Sequence, residues 1–368
     1  ENNDVFASTA NNTHSVYMGI SDKMGEGVEG IPLGSPKIDG HYAMHPLTDK
    51  VRQVDVFGGF TAASGHNFYT ARTYPKQFWN RAAFVSEPTG HLVHIAIVEK
   101  DGAGFIEKDG WNFLASSDEW VGPVHAEVGP DGAVWVADWY DFIIQHNPTP
   151  RGFENGEGNA YINPLRDRVR GRIYRIKYKN AKAYTPIKLS KDNPEGLLAA
   201  LENDNLFWRM TAQRLIVESK NLSVIPDLYK IISNQKVDEI DLNGPAVNAI
   251  WTLQGLGALN GSNAEALKAV QEALNHPAAG VRKAAIQALP KDNAMIGAIQ
   301  KAGLLKDKDL RVRLAAILAI SDIPASVHLG HLLYEAAADS VNAKDKYIAQ
   351  ALYTAALLHH EGFLAMSK

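Results

Sequence analysis

The hydrophobic period of this 368-residue chain changes once, and the change falls just after Pro186. Before it, apolar residues alternate over short runs broken by Asp-Gly and Gly-Gly pairs, the pattern of strands and tight reversals. Beyond it, they recur at offsets of three and four, as on one face of a helix. A chain that switches period in this way cannot be one uniform layer. It predicts a β domain over residues 1–178 followed by an α-helical domain over residues 190–368, and the length suits two cores better than one.

In the helical half, Trp208, Thr211, Ala212, Leu215 and Ile216 share one face, and the spacing returns from Val281 and from Val312, more weakly from Val247 and Ile348. Successive copies begin 39, 34, 31 and 36 residues apart, the repeat of a HEAT- or armadillo-like solenoid of paired helices. Partner helices are expected after Asn193-Pro194, after a capping box of Ser262 and Glu265, and after Asp292. Alanine dominates the repeated face, which lets helices approach closely and stack as an array.

In the first half, candidate strands are 53–57, 82–86, 92–99, 133–137 and 171–178. Asp101-Gly102, Asp109-Gly110 and Asp131-Gly132 supply the left-handed positions of hairpin turns. Around Gly129-Pro130-Asp131-Gly132 the pattern predicts a hairpin that exits into the polar and aromatic cluster Asp138, Trp139, Tyr140 and Asp141. Short strands at this density suggest a sandwich or a β-propeller. A propeller needs four or more blades, so it would be partial here, its early blades lying upstream. The opening ENNDVFASTANNTHSVYMG, without an initiator methionine, reads as the start of a fragment. Residues 147–170, rich in Pro, Gly, Asn and Arg, read as a long loop.

Composition excludes several classes. With no cysteine there is no disulfide, thiolate metal site or covalently attached haem in this chain, and a formal charge of -4 gives no electrostatic reason to expect nucleic acid. No phosphate-binding glycine loop or serine nucleophile elbow is present. His66, His91 and His125 fall in probable loops or strand ends of the β half, where an imidazole can serve as base, hydrogen-bond donor or ligand, though most loop histidines hold structure. Histidine spacing is not decisive for a metal. In His91-x-x-His94 a two-residue period sends the rings to opposite faces, and His41 and His45 settle no more. Asp118, Glu119, Asp138 and Asp141 could offer oxygens to calcium, or form turns. Arg72 is a candidate anion clamp. Trp139 and Tyr140, with the other aromatic rings of this half, suit either a blade core or a platform for a sugar or planar cofactor.

The stretches GGFTAASGHNFYTARTYPKQFWNRAAFVSEPTGHLVH, DGWNFLASSDEW, AEVGPDGAVWVADWYDFIIQHNPTP and RDRVRGRIYRI, with NPEGLLAALENDNLFWRMTAQRLI as a first helical repeat, resemble one known family. It comprises glucose/sorbosone-dehydrogenase-like β-propellers of exported proteins from Planctomycetes, Verrucomicrobia and Bacteroidetes, in which HEAT-type repeats and a cytochrome domain often follow. The resemblance implies a periplasmic or extracellular quinoprotein: an oxidoreductase using pyrroloquinoline quinone and calcium to oxidise a carbohydrate hydroxyl or hemiacetal. On that reading His66, His91, His125 and Asp138 are catalytic, Arg72, Trp139 and Tyr140 contact the cofactor, and Asp118, Glu119 and Asp141 hold the metal. Partners would be a carbohydrate, the missing upstream blades and a downstream cytochrome or other domain. The alternatives are a non-catalytic carbohydrate- or protein-binding scaffold of the same build, and a carbohydrate-cleaving enzyme on it.

Overall fold

A computed structural model describes all residues except 12–13, 27–28, 30–35, 52, 54–55, 145–150, 153, 155–164, 166–168, 262 and 367–368. His146, Arg166, Arg168, the capping residue Ser262, most of the loop 147–170 and part of the expected strand 53–57 therefore lie outside the described residues. The chain divides into a β region and a C-terminal helical region, as its change of period requires.

The strands are β1 (Phe6–Ala7), β2 (Val16–Tyr17), β3 (Ser64–Phe68), β4 (Ala82–Glu87), β5 (Leu92–Asp101), β6 (Gly104–Ala115), β7 (Pro123–Val128), β8 (Val134–Asp138) and β9 (Arg172–Ile176). They form three antiparallel sheets: β1-β2, the meander β3-β4-β5-β6, and β7-β8-β9. Strand β4 is buried at all six positions, because its two faces serve different cores. Phe84 packs with Tyr69, Val93, Val128 and Val136 between the two larger sheets, while Ala83 and Val85 face Met44, Phe60 and Ala96.

This arrangement corrects the expected propeller. Among the described residues one sheet has four strands, one has three and one has two, none is closed into a ring, and fewer than four blades cannot make one. One source of the misreading is Asp109-Gly110, which is no reversal but lies inside the 12-residue β6. A Cβ on Gly110 would stand 2.6 Å from the Ile95 carbonyl oxygen, so this glycine permits close strand approach at a bulge.

The helices are α1 (Pro194–Leu201), α2 (Leu206–Ser219), α3 (Ile225–Ser233), α4 (Gly244–Gly255), α5 (Ala264–Glu272), α6 (Ala279–Ala288), α7 (Asn293–Lys301), α8 (Leu310–Ser321), α9 (Val327–Ala337), α10 (Ser340–Lys344), α11 (Lys346–Leu358) and α12 (His360–Ala365). Each of α2, α4, α6, α8 and α11 packs on the next, through buried alanines such as Ala212, Ala249, Ala285, Ala316 and Ala351. Side-chain oxygens cap the starts: Asn193 accepts from the Gly196 N–H, Asn263 from Ala266 and Asp292 from Met295.

Sheet and helices share one core, in which Tyr17, Ile38, Val98 and Phe105 join the helical apolar face. The turn between β5 and β6 docks on α11: Asp345 caps the helix with Oδ1, while its Oδ2 accepts the Ala103 N–H at 2.7 Å. Gly102 and Gly104 allow this approach, since a Cβ on either would fall within about 2 Å of Asp345 Oδ2 or the Tyr347 ring. The β7–β8 turn docks likewise, with Trp208 Nε1 donating to the Pro130 carbonyl at 2.9 Å.

Candidate metal centre

Backbone contacts first bring three distant segments together. The Ile38 N–H donates to the Ser15 carbonyl at 3.0 Å, and the Glu107 N–H donates to the Ile38 carbonyl at 2.8 Å. Residues 14–17 and 36–45 are thereby laid along the β6 edge of the four-stranded sheet. On β5 and β6 the register shifts on both sides of His94, so that His94 pairs with Asn112 and Ala96 with Asp109. His94 and Ala96 thus share a face with Glu107 and Asp109, and the short Ala96 side chain leaves room for the larger groups around it.

The result is a cluster of His14, His41, His94 and Glu107, whose ligand atoms all lie within 4.8 Å of one another. Glu107 Oε2 is 3.3 Å from His14 Nε2, and Glu107 Oε1 is 3.4 Å from both His41 Nε2 and His94 Nε2. A tetrahedral ion with bonds of 2.0–2.1 Å to nitrogen separates its ligands by about 3.3–3.4 Å, so the three Glu107–imidazole spacings are near the edges of such a polyhedron, while the whole set lies within 4.8 Å.

Burial sharpens the point. The side chains of His14 and His94 are 1% exposed and that of Glu107 is 0% exposed, while His41 keeps 18%. Both ring nitrogens of His14, Nε2 of His41 and Oε2 of Glu107 are buried with no hydrogen-bond partner. Of the contacts to Glu107, the one from His94 Nε2 at 3.4 Å is aligned as a long hydrogen bond, while those from His14 and His41 stand at ion-pair distance without that alignment. Left so, each buried polar atom costs on the order of 1–3 kcal/mol, a penalty that a shared cation removes. Burial alone would raise the Glu107 carboxyl, but contact with His14, His41 and His94 outweighs it and holds the group well below the usual carboxylate range. Burial would likewise lower His41, yet Glu107 more than offsets it and the imidazole is raised. His94 is lowered, chiefly by burial.

The surroundings are those of ligand histidines. His41 Nδ1 lies 3.1 Å from the Ala43 carbonyl, which fixes the tautomer that leaves Nε2 free to bind. His14 Nδ1 faces Asp39 Oδ2 at 3.7 Å, and His94 Nδ1 faces Asp109 Oδ1 at 3.9 Å. Phe60 closes one side, stacked on His14 at 4.2 Å and edge-on to His94 at 5.3 Å. Three imidazoles and one carboxylate, with no thiolate, suit a borderline divalent transition ion such as zinc, and are a poor set for calcium, which takes six to eight oxygens.

The residues singled out in the sequence lie elsewhere and engage separate partners. His66 is buried in β3 with Nε2 2.7 Å from Ser15 Oγ, and burial, followed by the charge of His14, lowers it to about 4. His91 ends a short turn in the left-handed region, its Nδ1 2.6 Å from the Val121 carbonyl. His125 is exposed on β7 beside Glu127. Asp138 ends β8 and accepts from the Gly122 and Tyr140 N–H groups and the Tyr174 hydroxyl. Arg72 pairs with Glu1 and Asp238. Tyr140 lies under the Arg172 guanidinium and donates to Asp118, Trp139 is exposed, Glu119 meets Lys50, and Asp141 accepts from the Ile143 N–H.

Residues 1–180 match the model of a family described only as a domain of unknown function, DUF7133. All nine strands and all four cluster residues lie within that stretch. No curated protein matches the chain. The resemblance to sugar-dehydrogenase propellers is therefore not sustained, since the matching family is described without a function and no ring of blades forms among the described residues. Quinone-dependent sugar oxidation falls with it, because no propeller-type cofactor pocket exists among the described residues. The binding-scaffold and carbohydrate-cleaving alternatives presupposed the same propeller and fall too.

His14 and Glu107 were missed in the sequence, and His41 and His94 were set aside on spacing. The four positions are far apart in the chain, and Glu107 belongs to a strand hidden by the apparent turn at Asp109-Gly110. One signal was available: Glu107 and Asp109 are spaced two apart, as on one face of a strand, a short way along the chain from His94.

Proposed function

We propose that this chain is a transition-metal-binding protein, holding one divalent ion of the zinc class through His14, His41, His94 and Glu107. The observation that carries the reading is the convergence of four donors, three buried and one partly exposed, within 4.8 Å of one another, several of them without a hydrogen-bond partner. With Phe60 and the sheet on the inner sides and His41 partly exposed, any remaining coordination position faces solvent past His41. Four protein ligands already fill a tetrahedral ion, so activation of a bound molecule would require a further position, with water or a small anion entering beside His41. The near-complete burial of the other three ligands favours a second reading, a closed four-ligand ion that pins residues 14–17 and 36–45 to the sheet.

Cobalt substitution separates the two. Stoichiometric Co²⁺ gives a visible d–d spectrum, and added azide shifts it if a position is open. A spectrum unmoved by azide makes the ion structural, and no protein-bound spectrum at all removes the metal reading.

A further inference from the structure

We infer that His45 and Asp109 form an outer landing site through which a hydrated divalent cation reaches the buried centre, an inference that rests on that centre being a metal site. An ion cannot enter a buried set of four donors with its water shell intact; it must exchange waters for protein donors in steps. The first donors it meets must be exposed and adjacent to the one ligand that reaches the surface.

That ligand is His41. The ring of His45 lies 6.4 Å from it, centroid to centroid, and nearly parallel at 18°. His45 Nε2 is 2.5 Å from Asp109 Oδ2, and the two side chains are 21% and 29% exposed. The other Asp109 oxygen accepts the Trp111 N–H at 2.7 Å and faces His94 Nδ1 at 3.9 Å. One imidazole and one carboxylate therefore stand immediately outside the inner donors, and Asp109 shares a strand face with Glu107, about 7 Å along it.

The pair is held in place. The His45 ring stacks on Trp111 at 3.5 Å, and the His45 carbonyl accepts from Asn112 Nδ2 at 2.6 Å. A solvated ion pair has no such backing, and its side chains sample many rotamers. On arrival the cation exchanges water for an Asp109 oxygen and a His45 nitrogen. The hydrogen bond between them opens, its proton passing to solvent, and re-forms with a proton taken back from solvent when the ion moves inward to His41 and Glu107.

The test is the rate of uptake by the full metal-free chain. Zn²⁺ is mixed with protein in a stopped-flow cell beside a chromophoric chelator, and release is followed in the reverse direction. His45→Phe keeps a ring on Trp111 and removes the donor nitrogens; His45→Gln keeps a partner for Asp109 and serves as a second variant, with thermal melts reporting the fold of both. Uptake and release slowed several-fold by a common factor, at unchanged equilibrium affinity, is the expected result. Unchanged rates overturn the inference, as does a loss of affinity without a change in uptake rate, which makes His45 a support of the inner site. Absence of zinc binding by the unsubstituted chain is a different outcome: it removes the metal centre itself.

Discussion

Glu107→Gln keeps the shape of the central ligand and removes its charge. In the structure both carboxylate oxygens face imidazole nitrogens at 3.3–3.4 Å, so no other side chain replaces the negative ligand among the described residues of the cluster. Loss of a supporting residue around a metal ligand typically costs 10–100-fold in affinity, and loss of a direct anionic ligand should cost at least the upper figure, about 2.7 kcal/mol. The consequence for stability follows by mass action. At a free-ion concentration one hundred times its Kd, the unsubstituted chain gains about 2.7 kcal/mol, while a variant binding a hundredfold more weakly gains only about 0.4 kcal/mol. Differential scanning fluorimetry with Zn²⁺, each protein compared with its own chelator-treated baseline, should show a Tm rise for the unsubstituted chain that largely disappears in the variant. Equal rises in both would refute the role given to Glu107.

Two other predictions test the joint between sheet and helices and its charges. Asp345→Ala removes both the cap of α11 and the acceptor for the Ala103 N–H, and should cost about 2–3 kcal/mol in urea unfolding; a cost within 0.5 kcal/mol would show that the turn does not depend on this contact. Asp309, where burial opposes ionisation but the Arg311 guanidinium outweighs it, is held down at about 2. A carboxyl lowered from its unfolded value near 3.9 contributes about 2.5 kcal/mol that is fully present above that value and lost as pH falls toward 2. Asp309→Asn, which can still cap α8, should therefore be less stable at neutral pH by about that amount, with the gap closing below about pH 4; a gap independent of pH would contradict the assignment.

Local chemistry made much of the fold legible. Gly129-Pro130-Asp131-Gly132 folds as the tight reversal its residues prescribe, with Asp131 Oδ1 accepting the Ala133 N–H, and Asn193 and Asp292 cap the helices they precede. The division into strands and helices follows from period alone. Local pattern failed where one residue type has two uses. Gly110 serves close approach within a strand and was read as a turn, and the strand Gly104–Ala115 was absent from the expected set. The propeller expectation drew on strand density and resemblance, neither of which fixes how many sheets form or whether they close. The metal centre was the least legible feature, because its donors come from segments far apart in the chain that meet only in the folded protein, through contacts such as Ser15 with Ile38 and Ile38 with Glu107. The more conspicuous His66, His91 and His125 each hold a local contact, which is the commoner use of a histidine in a strand or loop.

The central claim is that His14, His41, His94 and Glu107 surround one ion, and anomalous diffraction tests it most directly. Crystals grown with one equivalent of Zn²⁺, measured on both sides of the zinc edge, should show a single dominant anomalous peak among these four residues, about 2.0–2.2 Å from three ring nitrogens and a Glu107 oxygen. No peak there would contradict the account.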